Sequence, residues 1–294
     1  MSSSLVLLLQ QNSTVLLLTT GILGLVVGSF LNVVIYRLPI MLDRSWRQQC
    51  AELLDVPSTT AEPAKPFNLI VPRSSCPFCG HAIGAVENIP VFSYLIQKGR
   101  CRHCDNPISP RYPAVEILTA VLSIVVVWKL GFSYQTVAAL ILTWSLIALS
   151  FIDIDRQILP DAITLPLLWI GLLISLSGAF STPQESIIGA VLGYLSLWSL
   201  YHLFRLLTGK EGMGYGDFKL LGMFGAWLGW QYLPITILAS SLVGAIFGIA
   251  MLILGRHRKG TPMPFGPYLA IAGWVAMLWG PEINQAYLQA TGLH

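Results

Sequence analysis

Acidic residues stand at two places where long apolar runs of this chain meet. One place is the segment GMGYGDFKL, which contains Asp217 and three glycines that permit positive φ and close backbone approach. The other is FIDIDRQILPDAIT, which contains Asp153, Asp155 and Asp161. Two carboxylates held close together at a membrane edge share a proton and can activate water. The pattern therefore predicts acid–base chemistry between Asp217 and an acid of the second segment.

The acids of the second segment have different expected roles. Asp153 lies nearest the apolar run, and an acid within a membrane segment is a functional candidate. Asp161 follows Pro160 at the start of the next run, which predicts a role in helix initiation, as a cap or at the positive end. Asp155 is expected to pair with Arg156 or to be solvated. The sequence thus favours Asp153 as the partner of Asp217.

Four of the five cysteines form two C-x-x-C pairs, separated by slightly more than the usual zinc-ribbon interval. They are Cys76, Cys79, Cys101 and Cys104. Four thiolates in tetrahedral geometry would form a structural Zn²⁺ site with no open position for chemistry. The alternatives are reduced thiols or a redox pair, and the neighbouring His81 and His103 could replace ligands. Cys50 is expected to be free.

The composition indicates a polytopic membrane protein rather than a soluble globular enzyme. The 294 residues are 54% hydrophobic and 11% charged, and the mean hydropathy is +0.68. Eight apolar runs are long enough to be candidate transmembrane helices. They cover residues 14–36, 114–130, 134–152, 160–180, 185–205, 218–233, 236–255 and 264–281. We therefore expect an α-helical fold of eight transmembrane helices, with a small zinc-ribbon-like cytoplasmic domain inserted after the first.

The distribution of basic residues predicts the orientation. With the amino terminus outside, the loops at 37–113, 153–161, 205–219 and 255–263 are cytoplasmic, and of the 17 basic residues only Lys129 falls outside. Both acid-bearing loops then open to the cytoplasm. The first basic residue, Arg37, follows the first apolar run, so this run is expected to be retained rather than removed as a signal peptide.

Three parts are expected along the chain: a first transmembrane helix (1–37), a cytoplasmic tetra-cysteine domain (38–113) and a seven-helix membrane domain (114–294). Arg37 is expected to anchor the end of the first helix at the lipid headgroups. Residues 43–66 are expected to form a short amphipathic helix and then a Ser/Thr/Ala/Pro-rich mobile link.

Small and polar residues in the first helix predict contacts with a neighbour. Gly24 and Gly28 lie on one helix face and allow close helix packing. Asn32 is interpreted as an interhelical hydrogen-bonding residue, with direct substrate handling as the alternative. Lys210 and Lys219 flank the glycine-rich segment, and we attribute them to the positive-inside bias rather than to steering of an anionic partner.

The motifs GSFLNVVIYRLP, the two C-x-x-C pairs, FIDIDRQILPD, GYGD and PFGPYLA occur in this order over nearly the whole chain. In this respect the chain resembles the bacterial type IV prepilin peptidases, a family of G-x-G-D aspartyl proteases. The resemblance implies catalytic aspartates at Asp153 and Asp217. It also implies a bacterial inner-membrane enzyme that removes the leader of prepilins and pseudopilins on the cytoplasmic side, then methylates the new amino terminus with S-adenosylmethionine.

The same resemblance places the methyl transfer near the cysteine domain and suggests Glu87, Asn88 and Gly99 as residues close to it. The expected partners are prepilins, pseudopilins and the lipid bilayer, with no nucleic acid. Two other functions fit the residues alone: a proton-coupled transporter with intramembrane acids, and a zinc-stapled membrane scaffold without catalysis. A transporter would be expected to show repeat symmetry and a midplane site.

Overall fold

The computed structural model describes residue 7 and residues 9–55, 66–253 and 263–291. Over these residues the backbone is mostly helical, and its only β-structure consists of two isolated bridges, Ser75 with Ala82 and Arg100 with Pro107. The helices are α1 (Ser13–Leu53), α2 (Phe92–Ile96), α3 (Arg111–Leu130), α4 (Tyr134–Arg156), α5 (Asp161–Ser175), α6 (Pro183–Thr208), α7 (Tyr215–Leu228), α8 (Leu233–Ile253) and α9 (Gly266–Thr291). The contacts divide the chain into two compact units, residues 1–148 and 149–294.

Five helices are long and apolar enough to cross a bilayer by length and composition. They are α1, α3, α4, α6 and the segment Trp230–Met251, which contains most of α8. The prediction of a helical multi-pass protein is therefore confirmed, and the prediction of eight spans is supported at five of them. Nearly all of the predicted basic loop at 255–263, and most of the link that ends at residue 66, lies outside the described residues.

In the first unit, α1 and α3 are in direct backbone contact, as the small residues predict. A Cβ atom on Gly24 would lie 2.6 Å from the Cα of Ala120, and one on Gly28 would lie 2.6 Å from the Cα of Glu116. Asn32 donates from Nδ2 to the carbonyl oxygen of Tyr112 at 3.1 Å, which supports its interpretation as an interhelical hydrogen-bonding residue.

Helix α1 does not end at Arg37, where the first membrane span is expected to end. Helix α1 continues through Pro39 to Leu53, so the predicted short amphipathic helix is the last part of α1 rather than a separate element. Arg37 is only 7% exposed and donates to the carbonyl oxygen of Asn68 at 2.9 Å, with its guanidinium 5.8 Å from the Phe67 ring centre. These contacts give the Arg37 guanidinium partners within the protein.

In the second unit, α7 is enclosed by its neighbours. All of its residues from Asp217 to Leu228 are buried except Lys219. A Cβ atom on Gly193 of α6 would lie 2.6 Å from the carbonyl oxygen of Leu221, so α6 and α7 also meet backbone to backbone. On another side, the Trp227 indole donates to the Leu167 carbonyl oxygen of α5 at 2.8 Å. The helix that carries Asp217 is therefore fixed by direct contacts with α5 and α6.

We predict that Gly24→Ala lowers the free energy of unfolding by about 1–3 kcal/mol, because its Cβ atom would push against the backbone of α3. Gly21→Ala is the matched control on the same helix: its Cβ would lie 3.1 Å from the flexible end of the Ile124 side chain. Both variants can be compared by denaturation in detergent micelles. Equal stability of the two variants would contradict the backbone contact.

Candidate active site and metal centre

The two predicted acids lie at helix ends in the second unit. Asp153 is in the last turn of α4 and is 5% exposed, and Asp217 is in the first turn of α7 and is 6% exposed. Asp155, two residues from Asp153, is exposed. The expectation that Asp153 is the more buried of these two acids thus agrees with the structure. Leu159 contacts Gly216, the residue before Asp217, and also Gly266, which binds Asp153, so the two acids lie around one side chain.

The glycine-rich segment positions Asp217 by its small size rather than by positive φ, which corrects part of the sequence interpretation. Among these glycines, none has a left-handed φ, and Gly214 is the extended residue that precedes α7. A Cβ atom on Gly216 would lie 2.8 Å from the Cβ of Leu159. Asp217 therefore belongs to a helix whose first turn needs room for Leu159.

Asp153 has a partner that the sequence did not identify. The backbone N–H of Gly266, at the start of α9, donates to Asp153 Oδ2 at 3.0 Å. A Cβ atom on Gly266 would lie 3.1 Å from Leu159 Cδ2, so Leu159 contacts both the start of α7 and the start of α9. Gly266 lies in the PFGPYLA motif, but a motif alone does not indicate which backbone group meets which side chain.

Asp161 makes an ion pair that the sequence did not predict. Its side chain does not cap α5; it accepts from Lys219 Nζ through both carboxylate oxygens, each at 2.7 Å. Its place in the first turn of α5 still matches the expected helix start. Lys219 was attributed to the positive-inside bias, yet here it ties the start of α7 to the start of α5. Since both side chains are partly exposed, this pair is worth less than a buried one.

The four paired cysteines come together in the first unit. Their sulfur atoms all lie within 4.8 Å of one another, and Cys76 Sγ is 3.8 Å from Cys104 Sγ. Tetrahedral zinc with Zn–S bonds of about 2.3 Å places its sulfurs about 3.8 Å apart, so the four side chains fit a Zn²⁺ ion. Cys50 is exposed and free, as expected.

The two cysteine turns have the same backbone design. The N–H of Cys76 donates to the His81 carbonyl and that of Cys101 to the Asn106 carbonyl, each at 2.9 Å. The residue after each pair, Gly80 or Asp105, has a left-handed φ. Backbone and side-chain N–H groups of Asn106 lower the pKa of the Cys104 thiol to about 6, which favours the thiolate that binds a metal.

The imidazole rings of His81 and His103 stack on each other, with centroids 3.6 Å apart. Among the described residues, the group that could hold a metal ion consists of the four cysteines without these histidines. The expectation that four cysteines suffice as the ligands of a metal site is therefore consistent with the structure.

The three residues suggested for methyl transfer have local roles in the same unit. Glu87 and Asn88 lie in a short 3₁₀ turn. Glu87 accepts from the Gly84 N–H at 2.9 Å and lies 3.5 Å from His81, and these contacts lower the pKa of Glu87. Gly99 has a φ of +70°, and a Cβ atom there would lie 3.0 Å from the Tyr94 hydroxyl. The expected need for glycine at 99 agrees with this geometry.

Glu116 is a further acid that the sequence interpretation passed over. It lies in α3, is only 7% exposed, and accepts from the backbone N–H of Val91 at 2.7 Å. Val91 has a φ of +60°, which is unusual for a β-branched residue. Glu116 therefore holds the segment between the cysteine pairs against α3. The position of Glu116 inside an apolar run is the sequence feature that could have identified it.

Comparison with known proteins gives consistent relationships. The model of the bacterial peptidase A24 N-terminal domain matches residues 22–130, and that of the type IV leader peptidase family matches residues 140–249. A prepilin leader peptidase/N-methyltransferase of Stutzerimonas stutzeri is 56% identical over 281 residues, which is 96% of each chain. One of Aeromonas hydrophila is 58% identical over 265 residues, 90% of this chain and 91% of the relative. No solved structure matches the chain.

We predict that the purified protein contains one Zn²⁺ ion per chain and that the double substitution Cys76→Ser, Cys79→Ser removes it, because two of four thiolate ligands are lost. Metal analysis of both proteins measures this directly. Cys50→Ser is the control and should keep its zinc, since Cys50 is exposed and outside the cluster. Unchanged zinc in the double variant would exclude the site.

Proposed function

The chain belongs to the type IV leader peptidase family, and we propose that it cleaves the leader of prepilins or pseudopilins and then methylates the new amino terminus. The observation that carries the peptidase half is the pair of buried acids, Asp153 and Asp217, brought near each other from separate helices. The high identity of relatives with this double name over most of the chain favours it over the transporter and the scaffold.

The proposed mechanism of peptide hydrolysis uses one proton shared by the two acids. The ionised acid takes a proton from water as the water oxygen bonds to the scissile carbonyl carbon, while the protonated acid gives its proton to the carbonyl oxygen. The first acid then protonates the leaving nitrogen, the C–N bond breaks, and the second acid recovers a proton from the new carboxyl group. The roles belong to the pair of Asp153 and Asp217 rather than to either residue.

Methyl transfer is proposed for the segment between and around the cysteine pairs. S-adenosylmethionine, when bound, supplies a methyl group carried on a sulfonium sulfur. The half-buried and ionised Glu87 fits recognition of its amino or ribose hydroxyl groups, with Asn88 beside it and Gly99 shaping the turn. The thiolates of the proposed zinc site hold this region in shape, since all four ligand positions are cysteines.

The proposed setting is the bacterial inner membrane, with eight membrane-crossing helices and the amino terminus outside. The basic residues support this orientation, because only Lys129 of 17 then lies outside. The three proposed parts remain 1–37, 38–113 and 114–294. The cysteine region and the acid pair then both face the cytoplasm, where a leader would be removed.

We predict that Asp153→Asn and Asp217→Asn each lower prepilin cleavage by about 10²-fold or more, because each removes one half of the proton-sharing pair. Asp155→Asn is the matched control and should have a mild effect, since Asp155 is exposed. Cleavage by purified protein in vesicles measures all three. A dispensable Asp153 together with an indispensable Asp155 would refute the assignment of the pair.

We also predict that Gly99→Phe impairs methyl transfer more than cleavage. A side chain at this position would strain the left-handed backbone and would collide with Tyr94. Leader removal and methyl incorporation from S-adenosylmethionine are measured on the same pilin. Gly131→Phe is the control: Gly131 has a φ of +65° but no atoms within 4 Å of a Cβ. Equal loss of both activities in Gly99→Phe would mean that this turn positions the substrate for the acids.

A further inference from the structure

The first turn of α9 directs one backbone group at Asp153. Gly266 is the first residue of this helix, and its N–H donates to Asp153 Oδ2 at 3.0 Å in a buried position. The N–H groups at a helix start lack partners within the helix and carry partial positive charge, so they favour a nearby carboxylate. The bond joins residues 113 positions apart in the sequence.

The motif PFGP determines which N–H group is presented. Pro267 has no N–H group, and its fixed φ suits the first turn of a helix. The N–H groups of Tyr268 and Leu269 both donate to the carbonyl oxygen of Phe265, at 3.1 and 3.2 Å. The N–H of Gly266 is therefore the donor of this turn that remains for a side chain.

The position also requires the absence of a side chain. A Cβ atom on Gly266 would lie 2.7 Å from Asp153 Oδ2 and 3.2 Å from Asp153 Cγ. The φ of Gly266 is not left-handed, so backbone conformation does not explain the glycine. The explanation is steric: the carboxylate occupies the space where a Cβ atom would stand.

We propose that Gly266 is a positioning residue for peptide cleavage, which rests on the proposed pairing of Asp153 with Asp217. Its N–H donates a hydrogen bond to Asp153 Oδ2 and so fixes the orientation of the carboxylate. Oδ1 is then the oxygen that exchanges a proton with water and with the partner acid. The start of α9 thereby belongs to the catalytic apparatus, although Gly266 has no side chain to take part in the reaction.

The test is Gly266→Ala in the full chain, with prepilin cleavage followed over a range of pH. We expect kcat to fall by about 10-fold to 100-fold with KM within about twofold of wild type, because misplacing a reacting group by about an ångström has an effect of this size. The acidic limb of the pH profile should move to higher pH, because the displaced N–H no longer stabilises the charged form of the carboxylate. Unchanged kcat and an unchanged profile would overturn the proposal.

Two further variants separate positioning from packing. Gly244→Ala is the matched control, because its Cβ would lie 3.3 Å from the Tyr268 ring and so tests a contact with the same first turn of α9. It should keep wild-type kinetics. Leu159→Ala combined with Gly266→Ala removes the crowding against Leu159 but not that against Asp153. If the double variant cleaves as fast as Leu159→Ala alone, the defect is one of packing and the proposal fails.

Hydrogen exchange tests the bond without any change at Gly266. In Asp153→Ala, a peptide covering residues 264–269 should lose protection at one amide relative to wild type, and unchanged protection would overturn the proposal. This measurement needs no activity. If the wild-type protein fails to cleave any prepilin, the proposed function fails while the exchange result still decides whether Gly266 binds Asp153.

Discussion

Two carboxylates are buried among apolar helices, and much of the second unit can be understood as making that burial tolerable. A buried charge is costly unless it has partners. Asp153 receives the N–H of Gly266 at the start of one helix, and Asp217 sits in the first turn of another. Leu159 fills the space between these two helix starts, and the Asp161–Lys219 pair joins the neighbouring starts of α5 and α7. The acids are thus held mainly by helix ends rather than by basic side chains.

In the first unit, the segment between α1 and α3 is held by a different set of contacts. The part of this segment that the structure describes is too small to form a large hydrophobic core, and it brings together four cysteines that could hold a metal ion. The same segment is attached to the helices at two points, through Arg37 to Asn68 and through Glu116 to Val91. Glu87 is held within it by the Gly84 N–H and by His81. Arg37 and Glu116, both buried, therefore attach this segment to α1 and α3.

Local patterns in the sequence predicted the features that depend on local physics. Hydropathy predicted where helices occur, spacing predicted the cysteine cluster, small residues predicted the contact of Gly24 with α3, and proximity to an apolar run predicted the burial of Asp153. The failures concern contacts between distant residues: Arg37 with Asn68, Asp161 with Lys219 and Gly266 with Asp153 are 31, 58 and 113 positions apart. No periodicity encodes such pairs, because either partner alone has an ordinary explanation. Arg37 resembled a headgroup anchor and Lys219 a topogenic charge until their partners were seen.

Helix α7 has a consequence for how the protein is made. Its 14 residues span about 21 Å, less than the hydrocarbon thickness of about 30 Å, and most of its surface is covered by protein. Such a segment is a poor substrate for independent insertion by the translocon, so it should enter the membrane together with its neighbours. The donor at residue 266 is synthesised after all the other parts of the acid site. On the proposed role of Gly266, the pair of acids becomes organised only once the start of α9 has packed against Asp153.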